Sequence, residues 1–292
     1  MDTSSGLITS RRNPLVKRLR ALHTAKGRRE AGLVLAEGTH LLQEALRLGL
    51  TPVHLLCTEP WRERHRPLLQ ALPPAVRPVL VSPDVLQAVA TTDHPDGVVL
   101  SLEPPAPASE AGSFVLTLDR LQDPGNLGTL IRTALAAGVD ALWLAEGADP
   151  LQPKVLRASA GAALALPLLR MEAGAMERRL RELAAAGSQL VAAVVADAPD
   201  AEGRLPMPYW QLDWTGPTVL MLGNEGAGLA PELQALATRR VTIPHSSAVE
   251  SLNVAVAAAP LLLERWRQRL VAAGPSAVPS SERMPPICAA AR

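Results

Sequence analysis

Two rhythms of apolar and polar residues alternate along this chain. From residue 113 onward, short apolar runs are separated by stretches with apolar residues three and four apart. Phe114–Leu118, Ala141–Leu144, Gln189–Val195, Thr218–Leu222 and Val241–Ile243 read as strands. Leu127–Ala137, Glu172–Ala186 and a long terminal segment, Ser251–Arg269, read as helices. Strands that are apolar at every position need cover on both faces, and helices between them supply it. The pattern therefore predicts an α/β unit with a mostly parallel sheet. Such sheets bind ligands beyond the carboxyl ends of their strands. Before residue 103 the rhythm is less regular. Thr39–Leu48 has helical spacing, Val53–Leu56 and Val79–Val81 are short β-type runs, and Val98–Leu102 reads as a closing strand. This part is expected to be a small α/β unit without a catalytic cluster.

Composition breaks set the boundaries. Residues 103–112, EPPAPASEAG, read as a linker between units at 7–102 and 113–272, and residues 273–292 read as a disordered tail. Hydrophobic residues make up 48% of the 292, which excludes general disorder. No apolar run reaches the ~18 residues of a membrane span. Arg11 and Arg12 precede no apolar h-region, so no signal peptide is expected. Cys57 and Cys288 form no CxxC motif, which favours a reducing compartment, and a cytoplasmic protein is expected. The histidines of the first unit are scattered, and no metal is expected.

Net charge is only +1, yet eight basic residues and no acidic one lie between Arg11 and Arg29. Arg11, Arg12, Lys17, Arg18 and Arg28 are candidates for RNA phosphate contact. A solvated helix face is the alternative. Aromatics are 2% of residues, so base stacking on Phe or Tyr is not the expected mode of RNA reading.

Three segments carry the candidate chemistry, and all fall at the predicted carboxyl edge. Residues 123–134, DPGNLGTLIRTA, read as a turn and a helix with Asn126 as N-cap. Gly128 and Arg132 lie four apart, opposite the apolar face, so the glycine leaves room beside the backbone and the arginine reaches over it. An ordinary capped helix with a surface arginine is the alternative. Residues 219–229, VLMLGNEGAGL, run from a strand into three glycines that admit close approach of a ligand. Their order is GxxGxG rather than GxGxxG, and Glu225 in the loop disfavours a pyrophosphate. Residues 243–254, IPHSSAVESLNV, lead into a helix that is apolar all round, as expected of one buried in the domain or in a subunit interface. Ser251 and Asn253 face a ligand or the adjoining loops, or else cap the helix.

In that order, NLGTLIRTA, LGNEGAGL and IPHSSAVESLNVAVA resemble the three motifs of the SpoU (TrmH-type) branch of the SPOUT RNA methyltransferases. LAEGTHLLQEAL and HPDGVVL of the first unit resemble the substrate-binding domain often attached to this branch. The resemblance implies a C-terminal trefoil knot, bound S-adenosyl-L-methionine, a homodimer, and methylation of a ribose 2′-oxygen of RNA, with ribosomal RNA ahead of transfer RNA. It assigns Asn126, Arg132, Glu225, Ser251 and Asn253 to the family's polar catalytic positions. It assigns Leu222, Gly223, Asn224, Ile243 and Leu252 to the cofactor, largely through backbone groups. Two positions depart from the usual pattern. His245 stands where Met is common, and Ala255 where a small hydroxyl residue is common. The rival readings are a non-catalytic RNA-binding module and a base methyltransferase of the same fold. A hydrolase is disfavoured, because no GxSxG elbow is present.

Overall fold

The computed structural model describes residues 6–107, 112–200, 202–224 and 226–274. The expected tail lies outside these residues except for its first two positions, as do residues 108–111 of the linker. The first unit contains helices α1 (Pro14–Ala21), α2 (Ala25–Ala31), α3 (Thr39–Arg47), α4 (Glu59–Arg64), α5 (Arg66–Gln70) and α6 (Pro83–Val89). Its strands are β1 (Val34–Glu37), β2 (His54–Cys57), β3 (Pro78–Leu80) and β4 (Val98–Leu102), in the order β1-β4-β2-β3. β4 pairs antiparallel with both β1 and β2, and β2 pairs parallel with β3.

The second unit contains β5 (Phe114–Leu118), α7 (Pro124–Ala136), β6 (Ala141–Leu144), α8 (Pro153–Ala158), β7 (Leu168–Arg170), α9 (Ala173–Ala185), β8 (Gln189–Ala193), β9 (Met207–Pro208), β10 (Thr218–Leu222), α10 (Pro231–Gln234), β11 (Arg239–Thr242) and α11 (Val254–Ala273). Seven strands form one sheet in the order β7-β6-β5-β10-β8-β11-β9. Each neighbouring pair is parallel. β5, β6 and β10 are buried at every position, as their almost wholly apolar runs require. Chain order reverses between β5 and β10, and the open carboxyl edge there is where a parallel sheet holds its ligand.

The linker reading suggested two separate units, but one apolar core runs through both. Leu41, Leu42 and Ala45 of α3 belong to the same cluster as Leu130 of α7 and Ala163 and Leu164 after α8. At the opposite end of β5, Arg265 of α11 is 2% exposed, lies 4.2 Å over the Phe114 ring and donates to the Ser113 carbonyl at 3.0 Å. Burial pushes its pKa down to about 10. None of the helices among the described residues is long and apolar enough to cross a membrane.

Two details of the helices differ from expectation. Asp123, not Asn126, caps α7: its Oδ1 accepts from Asn126 N at 2.7 Å, and Pro124 takes the first helical position, where a missing N–H is harmless. The long terminal helix starts at Val254, because the Asn253 side chain caps it by accepting from Ala255 N and Val256 N. Ser251 therefore does not cap it. Nor is α11 enclosed on every side in the single chain, where Val256 and Leu263 are exposed.

Candidate functional site

The site starts where β10 ends. Gly223 follows Leu222, and a Cβ at position 223 would fall 2.0 Å from the Gly228 carbonyl carbon and 2.0 Å from Leu229 N. Only glycine lets the loop double back this closely. Asn224 then closes the turn. Its backbone N–H and carbonyl exchange hydrogen bonds with Gly228 at 2.9 Å each. Its Oδ1 accepts from Gly226 N and Ala227 N, and its Nδ2 donates to the Arg120 carbonyl at 2.9 Å. Gly228 takes the left-handed φ of 68° that completes the return. Glu225 lies outside the described residues.

Two residues that the sequence reading passed over fix this loop from the neighbouring strand. Asp119, buried just past β5, accepts from Ala230 N at 2.9 Å. Arg120 donates to Asp119 through Nε at 3.0 Å and through its terminal nitrogen at 3.1 Å. That hydrogen bond, reinforced by the Asp119 charge, raises the pKa of the Arg120 guanidinium. The available signal was a charged pair set immediately after an apolar strand, at the carboxyl edge.

The third segment closes the other wall. β11 ends at Thr242, and the His245 ring nitrogen Nδ1 bonds the Ile243 carbonyl at 2.7 Å. The two loops enclose a cleft of about 490 Å³. Leu222, Gly223, Asn224, Ile243 and Leu252 all line it, together with His245 and Ser251. Apolar side chains of β8 and α11, among them Ala193, Ala257 and Leu261, form its floor. Its size is that of an ordinary small-molecule site.

The first segment meets the third beside this cleft, where Asn253 Nδ2 donates to Asn126 Oδ1 at 3.0 Å. Helix α7, which begins beside that contact, packs along α11. Arg132 lies on the exposed side of α7 and is not among the residues lining the cleft of its own chain. Gly128 corrects an expectation. The space beside it holds no ligand, for it is buried against α8, and a Cβ there would come 2.4 Å from the Ala158 Cβ. The basic stripe is partly spent on internal contacts. Arg12, Lys17 and Arg18 are exposed, and Arg11 pairs with Asp84 at 3.2 Å. Arg28 is 7% exposed and ion-paired with Asp149, so it is not available to RNA phosphate.

The arrangement pairs a glycine-walled cleft beyond the carboxyl ends of β10, β8 and β11 with a polar helix start beside it. Comparison with known proteins gives it a family. The profile of the SpoU rRNA Methylase family matches residues 113–263, and that of the MRM3-like substrate binding domain matches residues 13–100. The chain belongs to the SpoU rRNA methylase family. An uncharacterized tRNA/rRNA methyltransferase of Synechocystis sp. is 44% identical over 276 residues, 92% of this chain and 96% of that one. The 23S rRNA (guanosine(2553)-2′-O)-methyltransferase of Bacillus subtilis is 33% identical, covering 87% of this chain and 97% of its own. The crystal structure of an AdoMet-bound rRNA methyltransferase from Sinorhizobium meliloti has a TM-score of 0.75 at 34% identity, with 91% of this chain and 98% of that one covered. All three segments fall inside the SpoU match, and the basic stripe from Asn13 onward falls inside the substrate-binding match.

Proposed function

We propose that this protein methylates a ribose 2′-oxygen of RNA with S-adenosyl-L-methionine as methyl donor, and that the RNA is ribosomal rather than transfer RNA. The observation that carries this reading is the Asn253–Asn126 hydrogen bond, which joins the cleft-forming third segment to the helix that bears Arg132. The cleft suits the cofactor: two loops of main chain, one narrowed to what glycine alone permits, stand over an apolar floor. Leu222, Gly223, Asn224, Ile243 and Leu252 would hold it, largely through backbone groups. His245 also lines this cleft, so the departure at that position bears on the cofactor wall. Bound there, the cofactor supplies an electrophilic methyl group.

The chain's own residues then have to place the ribose and manage a proton. Positioning in line supplies much of the acceleration. A guanidinium keeps its proton in proteins and is a poor base. Arg132 therefore clamps the neighbouring phosphate and stabilises the negative charge that develops on the 2′-oxygen, while an RNA phosphate or a water takes the proton. Asn126 and Asn253 orient the ribose from the helix start, with Ser251 and Glu225 assigned to the same task. Arg11, Arg12, Lys17 and Arg18 contact phosphate along the RNA.

The reading includes a trefoil knot and a homodimer. The knot is supported by the path of residues 243–253, which pass beside the 222–229 loop to line the same cleft before α11 packs on α7. The dimer is supported by an apolar face of α11, where Val256 is 60% and Leu263 47% exposed. A ribosomal RNA substrate fits a cytoplasmic enzyme. Calorimetry with S-adenosylmethionine, and mapping of 2′-O-methyl marks in RNA from cells with and without the gene, test the reading. One cofactor per chain and one lost ribosomal mark are expected. A protein that binds no cofactor, with no mark lost, ends it.

A further inference from the structure

Among the described residues, two arginine–carboxylate pairs cross between the units. Arg28 of α2 donates to the carbonyls of Leu22 and His23 and, through its other terminal nitrogen, to Asp149. Arg157 of α8 donates to Glu37 at 3.2 Å and to the Thr91 hydroxyl. Glu37, 5% exposed at the end of β1, also accepts from Thr91 N at 2.9 Å and from the hydroxyls of Thr91 and Thr92. Neither Arg28 nor Glu37 has a task in the chemistry above. Both are buried charges, which persist only where partners hold them.

Their partners lie on one route to α7. Asp149 sits in the loop between β6 and α8, and Ala148 N of that loop donates to the Leu121 carbonyl at 2.8 Å, two residues before the α7 cap. Arg157 sits on α8, whose last residue, Ala158, packs against Gly128 so closely that a side chain there is excluded. Arg132 is one helical turn beyond Gly128. Just after α8, Gly161, with φ of 84°, brings the chain against Glu44 and Leu41 of α3, where a Cβ would come 3.0 Å from the Glu44 Cβ.

We propose that α8 and the loop before it form a rigid gauge between the units, with Arg28–Asp149 and Arg157–Glu37 as its positioning residues. The gauge holds the substrate-binding unit in one register relative to Arg132 and Asn126 of the same chain. It thereby fixes where along the RNA the methyl is delivered. The proposal rests on the RNA methyltransferase reading and goes beyond it, because that reading demands no fixed placement of the first unit.

The test is steady-state methylation of ribosomal RNA taken from cells lacking the gene, with Arg28→Ala, Asp149→Ala, the double variant, and Arg28→Lys. With this pair broken, RNA still binds the first unit but is held less well in line. The expectation is a fall of about tenfold in kcat with KM for RNA little changed, as for a lost orientation effect. The double variant should fall no further than either single one, since the two residues act through each other. Arg28→Lys should recover most of the rate. Cofactor stoichiometry by calorimetry corrects each value for folded enzyme, so misfolding does not imitate the effect. Wild-type kcat in Arg28→Ala and Asp149→Ala overturns the proposal, as do additive losses or a rise in KM alone. A second measurement needs no activity. Spin labels on Lys17→Cys and Arg178→Cys, in a Cys288→Ser background, should give a narrow distance distribution that broadens with Arg28→Ala and Arg157→Ala together. An already broad distribution in the parent also overturns it. Failure of the parent enzyme to bind cofactor or methylate RNA, with the distance still narrow, strikes the functional reading and leaves the gauge standing.

Discussion

The two sheets of this chain spend their polar groups in opposite ways. In the first unit polar side chains turn inward. Glu37 is bonded to Thr91, Thr92 and Arg157; Trp61 Nε1 donates to the Thr39 hydroxyl; and Cys57 is buried. In the second unit those around the cleft collect at one edge. Asp119, Arg120, Asn126, Asn224 and Asn253 all stand beyond the carboxyl ends of parallel strands or at helix starts beside them. Parallel strands align their carboxyl ends by construction, so their connections gather on one side. A sheet whose middle strand runs antiparallel to its neighbours divides its connections between both sides. The first unit is built to be a rigid object of fixed placement, and the second to present groups to ligands.

The sharpest way to break this comparison is Arg132→Ala. It removes an exposed side chain and no packing, so stability should hold while kcat falls by about 10²–10³-fold, the range for loss of one charge-stabilising donor. Cofactor affinity by calorimetry should stay as in the parent. Arg132→Lys separates fork geometry from charge: near-parental turnover in that variant rules out a two-pronged clamp.

Gly223→Ala attacks the cleft instead. A Cβ 2.0 Å from the Gly228 carbonyl carbon forces the loop apart. Overpacking of this kind costs about 1–3 kcal/mol. If that falls on the bound state, S-adenosylmethionine binds roughly ten- to a hundredfold more weakly. Unchanged affinity would show that the 222–229 loop is not the cofactor wall.

Much of the second unit was legible in the sequence, and for a physical reason. β5, β6 and β10 match the runs Phe114–Leu118, Ala141–Leu144 and Thr218–Leu222 residue for residue, because a strand buried on both faces leaves an almost wholly apolar string. β1, α8 and the short β7 and β9 were not legible. The first two lie in the contact between units, and β7 and β9 are only three and two residues long, too short to show a period. At the site, the five positions expected for the cofactor came from the resemblance of the ordered segments to the family motifs, and all five line the cleft. The α7 cap was misplaced by three residues, since Asp123 and Asn126 are both good caps and only the position of Pro124 decides between them. Gly128 and Arg28 were misread for one shared reason. A glycine and a cation look like ligand contacts until the partner that fills the space is known, and both partners, Ala158 and Asp149, are distant in sequence.

Asn224→Ala should act more mildly on the same cleft. It deletes the bond to the Arg120 carbonyl and the acceptor for Gly226 N and Ala227 N, while the backbone pair with Gly228 remains. At about 0.5–1.5 kcal/mol for a typical hydrogen bond, cofactor affinity should weaken roughly three- to tenfold. A loss as large as that of Gly223→Ala would mean that the Asn224 side chain itself touches the cofactor.

The smallest effect lies in the first unit and tests whether its polar groups are withdrawn from chemistry. Cys57 ends β2 and is fully buried, and burial pushes its thiol up to about 11 from the ordinary 9.0. The neutral thiol is the form that fits, so its contribution to stability is complete below pH 9 and is lost as pH rises through 11. Thermal unfolding of the Cys288→Ser protein should show a decline over that window that Cys57→Ala flattens. At pH 8 an alkylating reagent should leave Cys57 untouched in the folded protein and modify it in denaturant, because only the thiolate reacts and burial disfavours it. Rapid alkylation without denaturant would reveal an opening of β2 toward solvent. A unit that opens there could not hold RNA in register with Arg132, so the comparison between the two sheets would fail at its inward-facing half.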